Sequence, residues 1–159
     1  MITLYDMTLS GNCHKVRLLL SLLALPYQTQ PVNLVSGEQW WPDDTYRLAQ
    51  ITAWLSTATN EIANGPALLR VHHKFGRAID TPKAQQTAEK VLGIIDRHLE
   101  SRDWLAGDKV SIADIAVYPY LALAPEGDID IGTYTNIVAW FQRIRTLPGY
   151  VPMPGMWQA

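Results

Sequence analysis

Several things are missing from this chain of 159 residues, and each absence narrows what it can be. It has one cysteine, Cys13, so no internal disulfide framework can hold it together. Net charge is −2 and no basic block occurs, which gives no reason to expect nucleic acid or an anionic membrane as partner. No stretch free of polar residues reaches the length of a membrane span. Met1 leads straight into a strand-like run without a charged leader or a secretory apolar segment, so a cytoplasmic location is expected. There is no internal repeat and no low-complexity tract. Histidines are few: His72 and His73 are adjacent and would not share a helix face, with no third ligand at a spacing suited to a tetrahedral metal. No metal is expected; these two, like His98, read as surface residues.

What is present is apolar content, 48% of the chain, enough for a real core. The stretch that organises it is Trp104–Leu123. Ser111 precedes an apolar run and Asp114 follows three residues on, which is the outline of a capping box. Val110 and Ile115 have the spacing of a hydrophobic staple. Beyond Asp114 the helix carries no charge, which predicts burial on all sides. Pro119 removes one bond of the helical ladder and should kink it.

The remaining elements follow in order. Ile2–Asp6 reads as a strand and Met7–Asn12 as a turn. Cys13–Leu25 reads as a helix with Val16, Leu19, Leu20 and Leu23 on one stripe, ended by Pro26. Tyr27–Leu34 reads as a second strand, and strand–helix–strand implies a parallel pair. The pattern then becomes helical from Asp43, with Asp43 or Asp44 as cap and a break at Gly65-Pro66. Thr81-Pro82 opens the next helix as cap and first residue. A last helix spans Tyr134–Thr146, and the tail from Tyr150 wraps over the surface.

Candidate chemistry sits at the first strand–helix junction. Ser10 lies where unpaired backbone N–H groups give a partial positive charge, so an anion such as a thiolate or carboxylate is favoured there. A hydroxyl donating to a thiolate favours the charged form; equally, Ser10 can serve only as a helix cap. Asn12 can donate a second bond or simply form the turn. Cys13, at a helix N-terminus, would have a lowered pKa if exposed, and otherwise is a buried bystander. Tyr46, Trp54, Met156 and Trp157 are candidate walls of an apolar pocket, or core.

The pattern Asp108, Ser111, Ala113, Asp114 resembles the core-helix cap of the C-terminal domain of glutathione transferases. The Ser10 region, with Lys15-Val16-Arg17, resembles the start of that superfamily's thioredoxin-like N-terminal domain in its bacterial, serine-type members. The resemblance implies an α/β thioredoxin-like N-terminal piece, an incomplete βαβ over residues 1–39, plus an all-α C-terminal helical domain over residues 40–159. An internal block of the N-terminal domain is absent: no Val-Pro followed by a strand, and no acidic-Ser pair opening a helix. The resemblance further implies glutathione as co-substrate, held at Ser10, Gly11, Asn12 and Cys13. Its sulfur would lie at Ser10 and attack an electrophilic small molecule, in a homodimer. The alternatives are a non-catalytic helical binding or assembly module of the same fold, and a thiol–disulfide exchanger using Cys13.

Overall fold

The computed structural model describes residues 1–6, 11–31, 40 and 42–158; the side chains of residue 5 and residues 11–15 lie outside that description. The chain divides into two compact units, Met1–Glu38 and Gln39–Ala159.

The first unit pairs β1 (Ile2–Asp6) with β2 (Tyr27–Pro31) through the helix α1 (Gly11–Leu22). The strands are parallel, in register from Ile2 opposite Tyr27 to Asp6 opposite Pro31, as a helical crossover requires. Pro31 ends the strand, where its missing N–H costs no ladder bond. Residues 32–34, expected to continue β2, lie outside the described residues. The helix begins at Gly11, so Gly11 and Asn12 are helical rather than part of the turn, and it ends at Leu22, short of Leu25. Ala24 turns the chain in the left-handed region, φ 51°. The expected inward stripe is not buried: Val16, Leu19 and Leu23 are all exposed, as are Leu18 and Leu22. A two-stranded sheet has too little surface to cover such a helix.

The second unit is helical: α2 (Thr45–Thr57), α3 (Pro66–Phe75), α4 (Thr81–Leu99), α5 (Ile112–Ala122) and α6 (Thr135–Arg145). Every start but that of α3, which opens on Gly65-Pro66, has a carboxylate or a hydroxyl to satisfy free N–H groups. Asp44 accepts from Arg47 N–H at 2.7 Å. The cap of α4 is Asp80, one residue before the expected Thr81, and it accepts from Lys83 N–H at 3.2 Å. The start of α6 is capped from another helix: Asp96 of α4 accepts from the N–H groups of Asn136 and Ile137 at 2.9 and 3.0 Å.

Between α2 and α3 the chain widens into a π-helical segment, Ala58–Ile62. Gly65 then turns it into α3, with Pro66 at the helix start. A Cβ on Gly65 would meet the backbone N of Ala88 and the carbonyl O of Glu61 at 2.9 Å. The glycine therefore permits the close approach of the two helices.

The capping box at α5 is present in both directions. Ser111 N–H donates to Asp114 Oδ2 at 2.9 Å, and the Ser111 hydroxyl accepts from Ala113 N–H at 3.3 Å. Asp114 is fully buried and takes two further donors, Leu105 N–H and Trp140 Nε1–H, both at 3.0 Å. Burial outweighs these hydrogen bonds and holds its carboxyl above the usual carboxylate range.

The expectation of burial on all sides of α5 needs correction. Ala113, Val117, Tyr118, Leu121 and Ala122 are buried, but Ile115 is 46% and Tyr120 44% exposed. Val110 is buried and Ile115 is not, so the staple spacing does not bury both partners. The core gathers α5, α6 and α4 around Trp140, Phe141, Leu92 and Ile95. The tail docks on it: Trp157 N–H donates to Ala122 O at 2.6 Å and Met156 is buried.

Truncating Asp114 to Ala leaves three buried N–H groups without an acceptor. At about 1–2 kcal/mol each, the helical unit loses about 3–6 kcal/mol, read as a lower urea midpoint. A raised native pKa means the native state binds the proton more tightly than the unfolded chain. Stability therefore falls as pH rises from the ordinary aspartate range through the raised value. Asp114→Asn lacks that slope. Gly65→Ala forces backbone against backbone and costs about 1–3 kcal/mol in the same measurement.

Candidate functional site

The junction of β1 and α1 is built by local rules. A strand ends at Asp6 and a helix starts at Gly11, so the N–H groups of Gly11, Asn12 and Cys13 are among the four that a helix cannot pair internally. No acidic residue occupies the first turn, so nothing there competes with an external anion. Ser10 lies outside the described residues, and so do the side chains of Asn12, Cys13 and His14. What holds α1 to the strand is described: Arg17 donates to the Asp6 carboxylate, which is buried at the strand's end. Sequence reasoning placed Arg17 away from the apolar stripe but did not find this ion pair. Nothing in the spacing of the two residues reveals that the strand end and the second helical turn meet.

The second unit holds a groove of about 1190 Å³ between α2 with its π segment and α4. At one end His98 of α4 meets Trp54 of α2 edge to face, ring centroids 4.9 Å apart. His98 is half-buried rather than solvent-facing as expected, because its Nε2 bonds to the Leu105 carbonyl at 3.0 Å. Burial lowers its pKa, and the bond to Leu105 offsets this only in part.

Of the four aromatic and Met candidates, only Trp54 lines this groove. Tyr46 is 73% exposed. Met156 and Trp157 belong to the core on the α6 side, where Trp157 packs near Phe141 and under the Arg145 guanidinium. There Tyr118 and Tyr150 share a hydrogen bond of 2.7 Å, and burial first, then that bond, pushes the Tyr118 phenol up to about 12.

His72 and His73 bring their rings into edge contact, 4.9 Å between centroids, while His72 Nδ1 bonds to Arg77 O at 2.8 Å. Among the described residues no group of three His, Cys, Asp or Glu could hold a metal. Glu126 is a structural anion. It takes Lys74 and Arg70, the latter at 2.6 Å, and these two cations hold its carboxyl below the usual range.

The sequence profile described as "Glutathione S-transferase, C-terminal domain" matches residues 49–148. The chain belongs to the glutathione S-transferase superfamily. It is similar to the disulfide-bond oxidoreductase YfcG of Escherichia coli K12, 32% identical over 89 residues, which are 53% of this chain and 41% of that protein. It is similar also to rat elongation factor 1-gamma, 32% identical over 89 residues, 52% of this chain and 20% of that protein. The chain thus spans less than half the length of either relative. Among solved structures, a glutathione S-transferase from Xanthobacter autotrophicus Py2 superposes with a TM-score of 0.71 at 20% identity, over 98% of each chain. A glutathione transferase homologue from Drosophila mojavensis, solved with bound glutathione, gives a TM-score of 0.62 at 18% identity, over 93% of this chain and 89% of that one. The fold is that of the superfamily: a small strand–helix piece followed by a mostly helical domain.

No helix among the described residues is long and apolar enough to cross a membrane. Burial of His98 leads to the expectation that a proton NMR titration will give a midpoint below the ordinary histidine value. The native state then binds fewer protons than the unfolded chain in that window, so its contribution to stability grows as pH rises through it.

Proposed function

We propose that the chain binds glutathione at the mouth of α1 and carries its thiolate to an electrophilic small molecule. Residues 1–39 act as a partial glutathione-binding domain, and 40–159 as the helical domain. The observation that carries this reading is the placement of Gly11, Asn12 and Cys13 in the first turn of a helix free of acidic residues, in a chain of this superfamily. Ser10, just before that turn, donates its hydroxyl to the sulfur, and the backbone N–H groups add partial positive charge. The thiolate is then favoured over the thiol, and the serine needs to act neither as nucleophile nor as base. Asn12 supplies a second donor. No metal takes part. Glutathione bound in a fold neighbour is consistent with the co-substrate. The protein works in the cytoplasm as a homodimer.

A second reading has its own support. α1 exposes Leu18, Leu19, Leu22 and Leu23, and among the described residues β1 and β2 pair only with each other. Such a unit suits assembly, and one relative is elongation factor 1-gamma by name. A third follows from Cys13 and from the name of the bacterial relative, with mixed-disulfide exchange at the same helix mouth.

Glutathione–agarose separates them. Under the leading reading the protein is retained and eluted by free glutathione, and Ser10→Ala lowers conjugation of a chromogenic electrophile about 100-fold, the scale of an oxyanion-type donor. Passage through the column unretained points to assembly. Activity lost in Cys13→Ser but kept in Ser10→Ala points to exchange chemistry.

A further inference from the structure

The chain contains one Asn-Gly pair, Asn64-Gly65, and it stands between the π-helical segment and α3. Such a pair carries its own chemistry. The backbone N of the glycine can attack the side-chain amide carbon of the asparagine, because no Cβ shields that N and glycine takes the backbone angles the approach needs. The N–Cγ bond forms and the Cγ–Nδ2 bond breaks. The glycine amide proton leaves with the side-chain NH2 as ammonia, and a five-membered succinimide remains. Water then opens the ring at one of its two carbonyls. Opening at Cγ gives an ordinary aspartate. Opening at the main-chain carbonyl gives a β-linked aspartate, whose backbone runs through the side-chain carbons and is one atom longer.

In the folded chain each movement that this attack requires is blocked. Asn64 has helical backbone, and ring closure needs it to leave the helical angles. Its Nδ2 donates to the Asn60 carbonyl at 2.9 Å and to Asn60 Oδ1 at 3.3 Å, which ties the amide to the preceding turn. Gly65 is buried, and its carbonyl accepts from Leu69 N–H at 3.0 Å in the first turn of α3. A Cβ there would lie 2.9 Å from both Ala88 N and Glu61 O, so the Gly65 backbone has no room to swing unless α4 moves aside. Water is not what is lacking, since Asn64 itself is exposed.

We propose that Asn64-Gly65 is a modification site gated by folding: unreactive while the bend between α2 and α3 is packed on α4, and converted to aspartate and β-linked aspartate when that bend opens. The ordinary aspartate replaces a donor to two Asn60 oxygens by a further oxygen. The β-linked product is the more disruptive. It inserts a backbone atom immediately before Gly65, where the approach to Ala88 leaves no space for one. Such a chain does not close the bend again, and an opening long enough to react becomes irreversible.

Incubation of the full chain at pH 8, native in one sample and unfolded in guanidinium chloride in another, tests this by peptide mapping with mass spectrometry. The expected result is conversion of Asn64 in the unfolded chain and a rate at least tenfold lower in the native one, which corresponds to an opening cost of about 1.4 kcal/mol or more. Asn64→Gln, whose ring would have six members, shows no conversion at this position in either sample. When the converted sample is returned to native conditions and separated by size exclusion, the β-linked form is depleted from the refolded fraction and collects in the rest. Equal rates in native and unfolded chains overturn the inference. So does absence of conversion in the unfolded chain, or an equal share of the β-linked form in both fractions. Should Asn64→Gln not fold, the two rates and the fractionation decide alone.

Discussion

One buried carboxylate ties the helical unit together. Asp114 accepts from Ser111 at the start of its own helix, from Leu105 in the preceding loop and from Trp140 on α6. Three segments are thereby fixed by an atom pair that has no contact with water. A carboxylate suits this place because it offers several lone pairs in a small volume, and every donor around it is an N–H or O–H that burial would otherwise leave unpaired. Asp96 repeats the device at the start of α6, which it caps from α4. The helices are thus oriented by directional bonds at their ends, while the apolar contacts between them, around Trp140 and Phe141, supply the non-directional part of the stability.

The same network reaches the groove. Leu105 donates its N–H to Asp114 and accepts from His98 through its carbonyl. The peptide of Leu105 therefore sits between the buried carboxylate and the groove's imidazole, and the loop that carries it cannot shift without losing bonds at both. On the opposite wall, the π segment and Gly65 set how closely the α2 side approaches α4. The rigidity that Asp114 gives the core is what makes the position of His98 well defined.

Much of this was legible in the sequence because it rests on local chemistry. The Ser111–Asp114 box is encoded within four residues, and so are the Asp44 cap and the Gly65-Pro66 break. The parallel strand pair follows from a strand–helix–strand order. What local pattern cannot encode is distance. The Asp6–Arg17 and Glu126–Arg70 pairs, the cap from Asp96 and the bond from His98 to Leu105 depend on where whole elements end up. The exposure of Ile115 and Tyr120 has another cause. A charge-free helix reports only that no face was selected for charge, and hydropathy does not distinguish a face in the core from an apolar face left open. At Ser10 the sequence remains the guide: the residue lies outside the described ones, and the described frame around it is the start of α1.

That frame belongs to the less stabilised of the two units. α1 has twelve residues, below the length at which an isolated helix holds in water, and its leucines gain little from burial where they are exposed. Two strands add few backbone bonds, and most of their described residues are exposed. Against this, the Asp6–Arg17 pair joins strand to helix, with the Asp6 carboxylate shielded from solvent. Thiolate stabilisation at a helix mouth depends on N–H groups held in fixed directions, and misplacement of about 1 Å removes much of the effect. The physical requirement for chemistry at Ser10 is therefore burial of the α1 leucines, by an electrophile, a second copy or any other apolar surface. The two proposed readings, transfer and assembly, draw on the same helix: a surface that covers those leucines would also steady the N–H groups of the proposed sulfur site.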